Sequence, residues 1–226
     1  MGNQIMDKPS TYVYLSHFMD HLTPLYGGGK GISVLPDRSI LNGDTANTKQ
    51  LSFQNHSGTH IDFPNHFFLD GLTSESYTAD KWIFRSPFLL CRDAIENEII
   101  CLKEGELNQI PPQTDFLIIK TGFGKFRAEE KYWKFNPGFS PKLAGILSTR
   151  FPLLRVIGMD FISITSFQNR EIGREAHRKF LGGANPILLI EDMDLSLLST
   201  IPSSVMCLPL LIKGLDGSPV TIIASI

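Results

Sequence analysis

The stretch His56-Ser57-Gly58-Thr59-His60-Ile61-Asp62-Phe63-Pro64-Asn65-His66 holds three of the chain's six histidines together with an aspartate. Neutral imidazole and carboxylate are natural ligands of zinc and similar divalent ions. Histidines four apart share a face on a helix, but Gly58 and Thr59 between them and Pro64 beyond argue against one. Ser57 stands where the metalloprotease signature needs Glu, so that motif and its general base are absent. A strand–turn reading fits better. Gly58 lets the backbone turn tightly, bringing His56 and His60 to one ion, and Asp62 shares a face with His60 in an extended segment. Pro64 stiffens the exit towards His66. The cluster holds one imidazole more than three protein ligands require, and a catalytic site keeps a position for water and a base nearby. A structural zinc site would be expected to carry thiolates, and this segment has none.

Around this segment the composition is that of an ordinary globule. The 226 residues are 42% hydrophobic and 19% charged, enough apolar material for a sizeable core and too much for a disordered chain. A net charge of −2 gives no basic field to draw in nucleic acid or an anionic membrane, so small molecules or proteins are the expected partners. Met1–Ser10 lacks the apolar run of a secretory signal, and no stretch is long and apolar enough to span a bilayer. Gly2 invites a myristoylation reading, but Met6 replaces the Ser or Thr of that pattern. Three widely spaced cysteines (Cys91, Cys101, Cys207) make a disulfide framework unexpected and fit a reducing, cytoplasmic setting. Cys91, in an apolar run, reads as buried filler. Asn55-His56-Ser57 matches a glycosylation triplet, but a sugar there would bury the chemistry, so it reads as coincidence.

Strand-like runs dominate the chain: Thr11–Ser16, Leu51–His56, Pro87–Arg92, Glu98–Leu102, Phe116–Lys120, Leu153–Gly158, Pro186–Ile190, Ser204–Leu211 and Val220–Ser225, the last two separated by a turn at Asp216-Gly217. Residues 27 to 31 and Leu35–Asn47 read as loops. Pro141–Arg150, with Ser140 as N-cap, and Arg174–Leu181, stopped by Gly182 and Gly183, read as helices. The pattern is mixed α/β with a twisted, mixed-sheet core, and no composition shift divides it, so residues 1 to 226 read as one domain.

Other motifs carry less. His17 and His21 lack a third ligand at useful spacing and read as solvated or structural. Gly27 to Gly31 with Lys30 fails the phosphate-loop pattern, and no Gly-x-Ser-x-Gly elbow occurs. Phe63, Phe67 and Phe68 could wall an aromatic substrate, although such residues are more often core.

The string from His56 to His66 resembles the His-x-Gly-Thr-His-x-Asp-x-Pro-x-His signature of the metal-dependent cyclase-like hydrolases, and every fixed position is met. Bacterial kynurenine formamidases (arylformamidases) are that family's best-known members, and isatin hydrolase is a relative. Similar matches run through Leu15-Ser16, Gly158-Met159-Asp160 with Ser163, Ala176-His177-Arg178, Ile190-Glu191 with Leu195, Leu208-Pro209-Leu210 and Asp216 to Val220. The resemblance implies a swivelling β/β/α fold and a homodimer. It implies His56, His60 and Asp62 as metal ligands with Asp62 able to bridge two ions, His177 and Glu191 completing a second site, and His66 as general base and acid. Two departures stand out. Tyr26-Gly27-Gly28-Gly29 replaces the Tyr-Pro-Gly-Asp of the kynurenine formamidases, which loosens the tie to kynurenine. The His177-to-Glu191 spacing is also longer than the family's, with Gly182, Gly183 and Pro186 available to absorb the excess.

The expected chemistry is hydrolysis of an amide-type C–N bond, with N-formylkynurenine to kynurenine in tryptophan catabolism as the family's model reaction. One or two divalent ions per chain, zinc first and manganese second, would activate water and polarise the carbonyl, while His66 moves the proton. The expected substrate is a small molecule, an aromatic formamide or a cyclic amide. Two alternatives stand beside this: a non-catalytic metal or small-ligand binding module on the same fold, and a pathway cyclase acting on a lactone or cyclic amide.

Overall fold

The structure is a computed structural model that describes residues 11–29 and 31–226. The readings made at Met1–Ser10 and Lys30 lie outside the described residues. The strands are β1 (Tyr12–Tyr14), β2 (Ser33–Arg38), β3 (Thr48–Ser52), β4 (His60–Asp62), β5 (Ile83–Phe84), β6 (Pro87–Cys91), β7 (Ile99–Ile100), β8 (Phe116–Lys120), β9 (Gly138–Phe139), β10 (Val156–Met159), β11 (Leu188–Glu191), β12 (Ser204–Pro209) and β13 (Gly217–Ser225). The helices are α1 (Glu104–Leu107), α2 (Lys131–Lys134), α3 (Pro141–Arg150) and α4 (Arg170–Leu181).

One mixed sheet organises the fold, in the order β5-β12-β13-β4-β11-β10-β8-β6, with β1 also on β13. Strands β6, β8, β10 and β11 are mutually parallel, whereas β4 runs antiparallel to both β11 and β13. The parallel strands are continuous apolar runs because both of their faces are covered; Phe116 to Ile119 are fully buried. Helices α3 and α4 pack on each other. Ser140 caps α3 through its hydroxyl, with Pro141 at the first turn, as the sequence suggests.

Four local expectations need correction. The loop expected over Leu35–Asn47 begins as strand β2, which pairs with β3 in an antiparallel hairpin almost wholly exposed to solvent. Its pattern is hidden because neither face is buried, so no alternation develops. The strand expected over Leu51–His56 ends at Ser52. Helix α4 starts at Arg170, a turn before the expected Arg174, and the run of charges in that turn sits on its exposed side. Cys91 is exposed rather than buried, being the last residue of β6, where the chain leaves the core.

For the site, the decisive element is β4. It is only three residues long but lies between β11 and β13, with Ile61 fully buried on one face. Burying a side chain of that size contributes about 1.5–3 kcal/mol. Because side chains alternate along a strand, anchoring Ile61 in the core sends His60 and Asp62 together to the opposite face.

Candidate metal centre

Register delivers the other carboxylate. Glu191 of β11 pairs directly with His60 of β4, and Gly217 of β13 pairs with Asp62. His60 Nε2 therefore stands 3.5 Å from Asp62 Oδ1 and 3.5 Å from Glu191 Oε2. From α4, His177 reaches the same spot, with Nε2 3.5 Å from Asp62 Oδ2 and 3.5 Å from Glu191 Oε1. Between His177 and Glu191 the chain runs from Leu181, where α4 ends, to Leu188, where β11 begins.

Gly58 makes the turn that places His56 over this face. Its φ of +62° is in the left-handed region that glycine adopts without strain. His56 Nδ1 then lies 2.8 Å from Asp62 Oδ1, and its Nε2 lies 3.0 Å from Asp216 Oδ2. The same Asp216 oxygen is 2.9 Å from His66 Nδ1, and the rings of His56 and His66 lie 4.1 Å apart, centre to centre.

Two three-residue groups have donor atoms mutually close enough for one ion each: His56, Asp62 and His66, and His60, Asp62 and Glu191. Asp62 belongs to both. All five sequence-expected ligands, His56, His60, Asp62, His177 and Glu191, thus converge. His66 stands at the edge of the cluster, in reach of ligation as well as of proton transfer.

The surroundings fit a divalent ion. Metal-bound histidines hold their second nitrogen in a hydrogen bond that fixes the tautomer. His60 Nδ1 is 2.8 Å from the Gly58 carbonyl, and His177 Nδ1 is 2.9 Å from the Gly173 carbonyl, which leaves each Nε2 aimed at the carboxylates. Glu191 Oε1 accepts from Ser163 Oγ at 3.0 Å and from the Ile164 amide at 2.8 Å. The donor set is nitrogen and oxygen throughout, suited to zinc or manganese.

Electrostatics bind the cluster together. Burial disfavours a charged His56, but Asp62 and Asp216 outweigh it and push the imidazole up to about 10. Burial likewise opposes a charged His177, and Asp62 and Glu191 push it up to about 9. Asp62 is held well below the usual carboxylate range: its burial is overcome by the His56 charge and by hydrogen bonds from His177 and His56. His66 differs. Burial is the main influence on it and, with the neighbouring His56 charge, lowers its pKa despite the pull of Asp62.

The site opens into a pocket of about 490 Å³ lined by Tyr26, Gly27, Phe67, Ile162, Arg170 and Arg174 besides the cluster. That volume suits a drug-sized molecule. Phe67 stacks on His177 at 4.8 Å, while Phe63 is wholly buried and Phe68 is partly exposed against Gly182. Of the three phenylalanines flagged in the sequence, only Phe67 faces the pocket.

Several contributors were not legible as site residues. Asp216 reads in sequence as a turn, yet it holds both His56 and His66. Asn55, the dismissed glycosylation triplet, donates to Asp216 Oδ1 at 2.6 Å. Asp160 belongs elsewhere: it accepts from the Thr121 hydroxyl and the Thr121 and Gly122 amides. Asp192, with φ +53°, is buried and ion-paired to Arg127 at 2.7 Å, with Tyr132 Oη 2.5 Å away. His17 lies 4.0 Å from Asp192 and 3.7 Å from Asp194.

A mixed sheet with a His/Asp/Glu cluster at the ends of its central strands defines an α/β fold with a candidate metal site. The chain belongs to the family described as "Putative cyclase", whose model matches residues 13–166. It is 30% identical over 180 residues to an uncharacterised protein of Methanocaldococcus jannaschii, covering 77% of this chain and 81% of that one. It is 26% identical over 213 residues to the kynurenine formamidase of Bacillus cereus, covering 94% and 96% of the two chains. Isatin hydrolase A from Labrenzia aggregata, solved with benzyl benzoate, superposes with a TM-score of 0.81 at 18% identity, covering 96% of this chain and 94% of that one. That likeness establishes the cyclase-like fold expected from the signature. No helix among the described residues is long and apolar enough to cross a membrane.

Proposed function

We propose that the chain is a metal-dependent hydrolase of amide-type C–N bonds, acting on an aryl formamide or cyclic amide. The observation that carries this is the convergence of His56, His60, Asp62, His177 and Glu191 at the floor of the pocket, with a His66–Asp216 pair beside them. Similarity to a kynurenine formamidase supports the reaction class.

The five residues would hold one or two divalent ions, zinc first and manganese second, with Asp62 able to serve both positions. When bound, such an ion lowers the pKa of a coordinated water from 15.7 towards about 7 and polarises a carbonyl oxygen. His66 is the remaining base. Its Nδ1 faces Asp216, which leaves Nε2 to accept the proton of the attacking water and to return it to the leaving nitrogen. Phe67 and Ile162 give the pocket an apolar wall against which an aromatic ring can lie.

The cytoplasmic setting and the homodimer remain part of this proposal. Support for a dimer comes from the β2–β3 hairpin, whose cross-strand pair Val34 and Leu51 is exposed, and from a neighbouring apolar groove lined by Tyr14, Phe18, Leu208 and Leu210. The test of function is metal content by mass spectrometry joined to a screen of N-formyl aryl amines and cyclic amides. Turnover abolished by EDTA and restored by zinc or manganese is expected. Failure to take up either ion on reconstitution would sink the reading, and tight uptake without turnover would favour a binding module.

A further inference from the structure

The pocket has a second chemical pole. Arg170, Arg174 and His177 fall at i, i+4 and i+7 on α4, so they share one helix face. At 1.5 Å per residue, Arg174 lies about 4.5 Å and Arg170 about 10.5 Å up the helix axis from His177. Both arginines line the pocket. Packing fixes this rotation of the helix: a Cβ at Gly173 would come 2.4 Å from Thr165 Cα, so α4 sits on backbone there.

Arg170 is presented rather than spent. Its guanidinium carbon stands 4.0 Å above the centre of the Phe167 ring, and Phe167 is itself met edge-on by Tyr26 at 5.6 Å and Trp133 at 5.2 Å. Stacking of that kind orients the planar group while leaving the N–H donors along its edge available. Among the described residues Arg170 pairs with no carboxylate, whereas Arg174 Nη1 pairs with Glu171 Oε1 at 2.5 Å. Tyr26 adds a third donor. Its hydroxyl is buried and lies beside Arg170, with Arg174 also within electrostatic reach. A phenol oxygen that faces a guanidinium keeps its own O–H free to donate to an incoming acceptor.

We propose that Arg170, Arg174 and Tyr26 form a carboxylate subsite at the pocket mouth, so the substrate is an aryl amide carrying an anionic carboxylate on the side away from the scissile bond. This rests on the hydrolase reading above, which supplies the amide end. The two poles then divide the work: the His/Asp/Glu floor takes the reacting carbonyl, and the arginine pair sets which molecules arrive in register.

Calorimetric titration of the metal-reconstituted chain with 4-formamidobenzoate and with its neutral counterpart formanilide tests the subsite, with hydrolysis followed in parallel. The carboxylate ligand is expected to bind about tenfold tighter or better, as a bidentate charge-assisted pair implies. Arg170→Gln should erase that difference without weakening formanilide, Arg174→Gln should reduce it about threefold, and the exposed Lys179→Gln should leave it intact. Raising salt should shrink the wild-type difference. Equal affinity for the two ligands, no binding of either, or equal weakening of both by Arg170→Gln would overturn the subsite. Preferential binding without turnover would keep the subsite and overturn the hydrolase. Equal binding and equal turnover would do the reverse.

Discussion

His66 and Asp216 are 150 residues apart in sequence and 2.9 Å apart in space, Nδ1 against Oδ2. A carboxylate on one imidazole nitrogen fixes the tautomer and stabilises the imidazolium when the other nitrogen takes a proton. His66→Ala should therefore lower kcat by about a hundred- to ten-thousand-fold with metal content retained. Asp216→Asn should cost less, about ten- to a hundredfold, and should also weaken metal binding through His56. Steady-state kinetics with metal analysis of each variant separates the two. A His66→Ala enzyme of wild-type kcat would remove His66 from the mechanism.

Burial also sets the pH at which His66 works. The ring must be neutral to accept a proton, and its pKa is lowered from 6.5. Activity should persist below pH 6.5 and fall away only as pH drops through the lowered value. The component of the acid limb of a kcat/KM profile at saturating metal that is lost in His66→Gln reads this ring. That component lying above 6.5 would contradict the lowered value.

Removing metal should turn the site into a pH-sensitive ion-pair cluster. His56 and His177, raised to about 10 and about 9, are protonated against Asp62 and Glu191 in the metal-free chain at neutral pH. Folded pKa values above the unfolded 6.5 mean a stabilisation complete below pH 6.5 and lost as pH rises through about 9 to 10. The metal-free Tm should decline over that window, while the metal-loaded Tm should not. Ion uptake at pH 7 should release protons, measurable by calorimetry in buffers of different ionisation enthalpy. Uptake without proton release would show that these imidazoles are not charged.

Legibility of the site in the sequence follows chain distance. His56, His60 and Asp62 are visible because one short segment holds them, and β4 needs only the alternation around Ile61 to present two of them together. His177 and Glu191 are not recoverable from spacing; the resemblance supplied them, and strand register and the rotation of α4 bring them in. Asp216 and Asn55 could not be read at all, because their role arises from β13 lying beside β4. The apolar parallel strands were legible from their continuous runs. The β2–β3 hairpin was not, since a strand exposed on both faces leaves no hydrophobic period to read.

Gly217 sits where β13 passes under the His56 ring. A Cβ there would come 2.2 Å from His56 Cε1, so Gly217→Ala must displace a ring held at both nitrogens by Asp62 and Asp216. The cost should be about 1–3 kcal/mol of stability, with metal affinity reduced as well. Gly145, inside α3 with nothing within 4 Å of its notional Cβ, is the control. Gly145→Ala should stabilise by about 0.5–1 kcal/mol. Urea unfolding and metal titration of the two variants provide the comparison, and an unaltered Gly217→Ala protein would mean that His56 moves freely.

The exposed hairpin supplies the last expectation. Val34 and Leu51 face each other across β2 and β3, 41% and 60% exposed, and Leu51 also lines the groove beside Phe18 and Leu210. Two-stranded hairpins are marginal in water without a surface to pack on. A second copy of the chain would meet that need with a self-complementary contact, because hairpin and groove are both present on each copy. Light scattering coupled to size exclusion should give twice the 25.3 kDa chain mass. Val34→Glu with Leu51→Glu should shift it to the single-chain mass, because a charge buried in an apolar contact is costly. A monomeric wild-type chain at micromolar concentration would leave the hairpin without its proposed partner and refute the dimer.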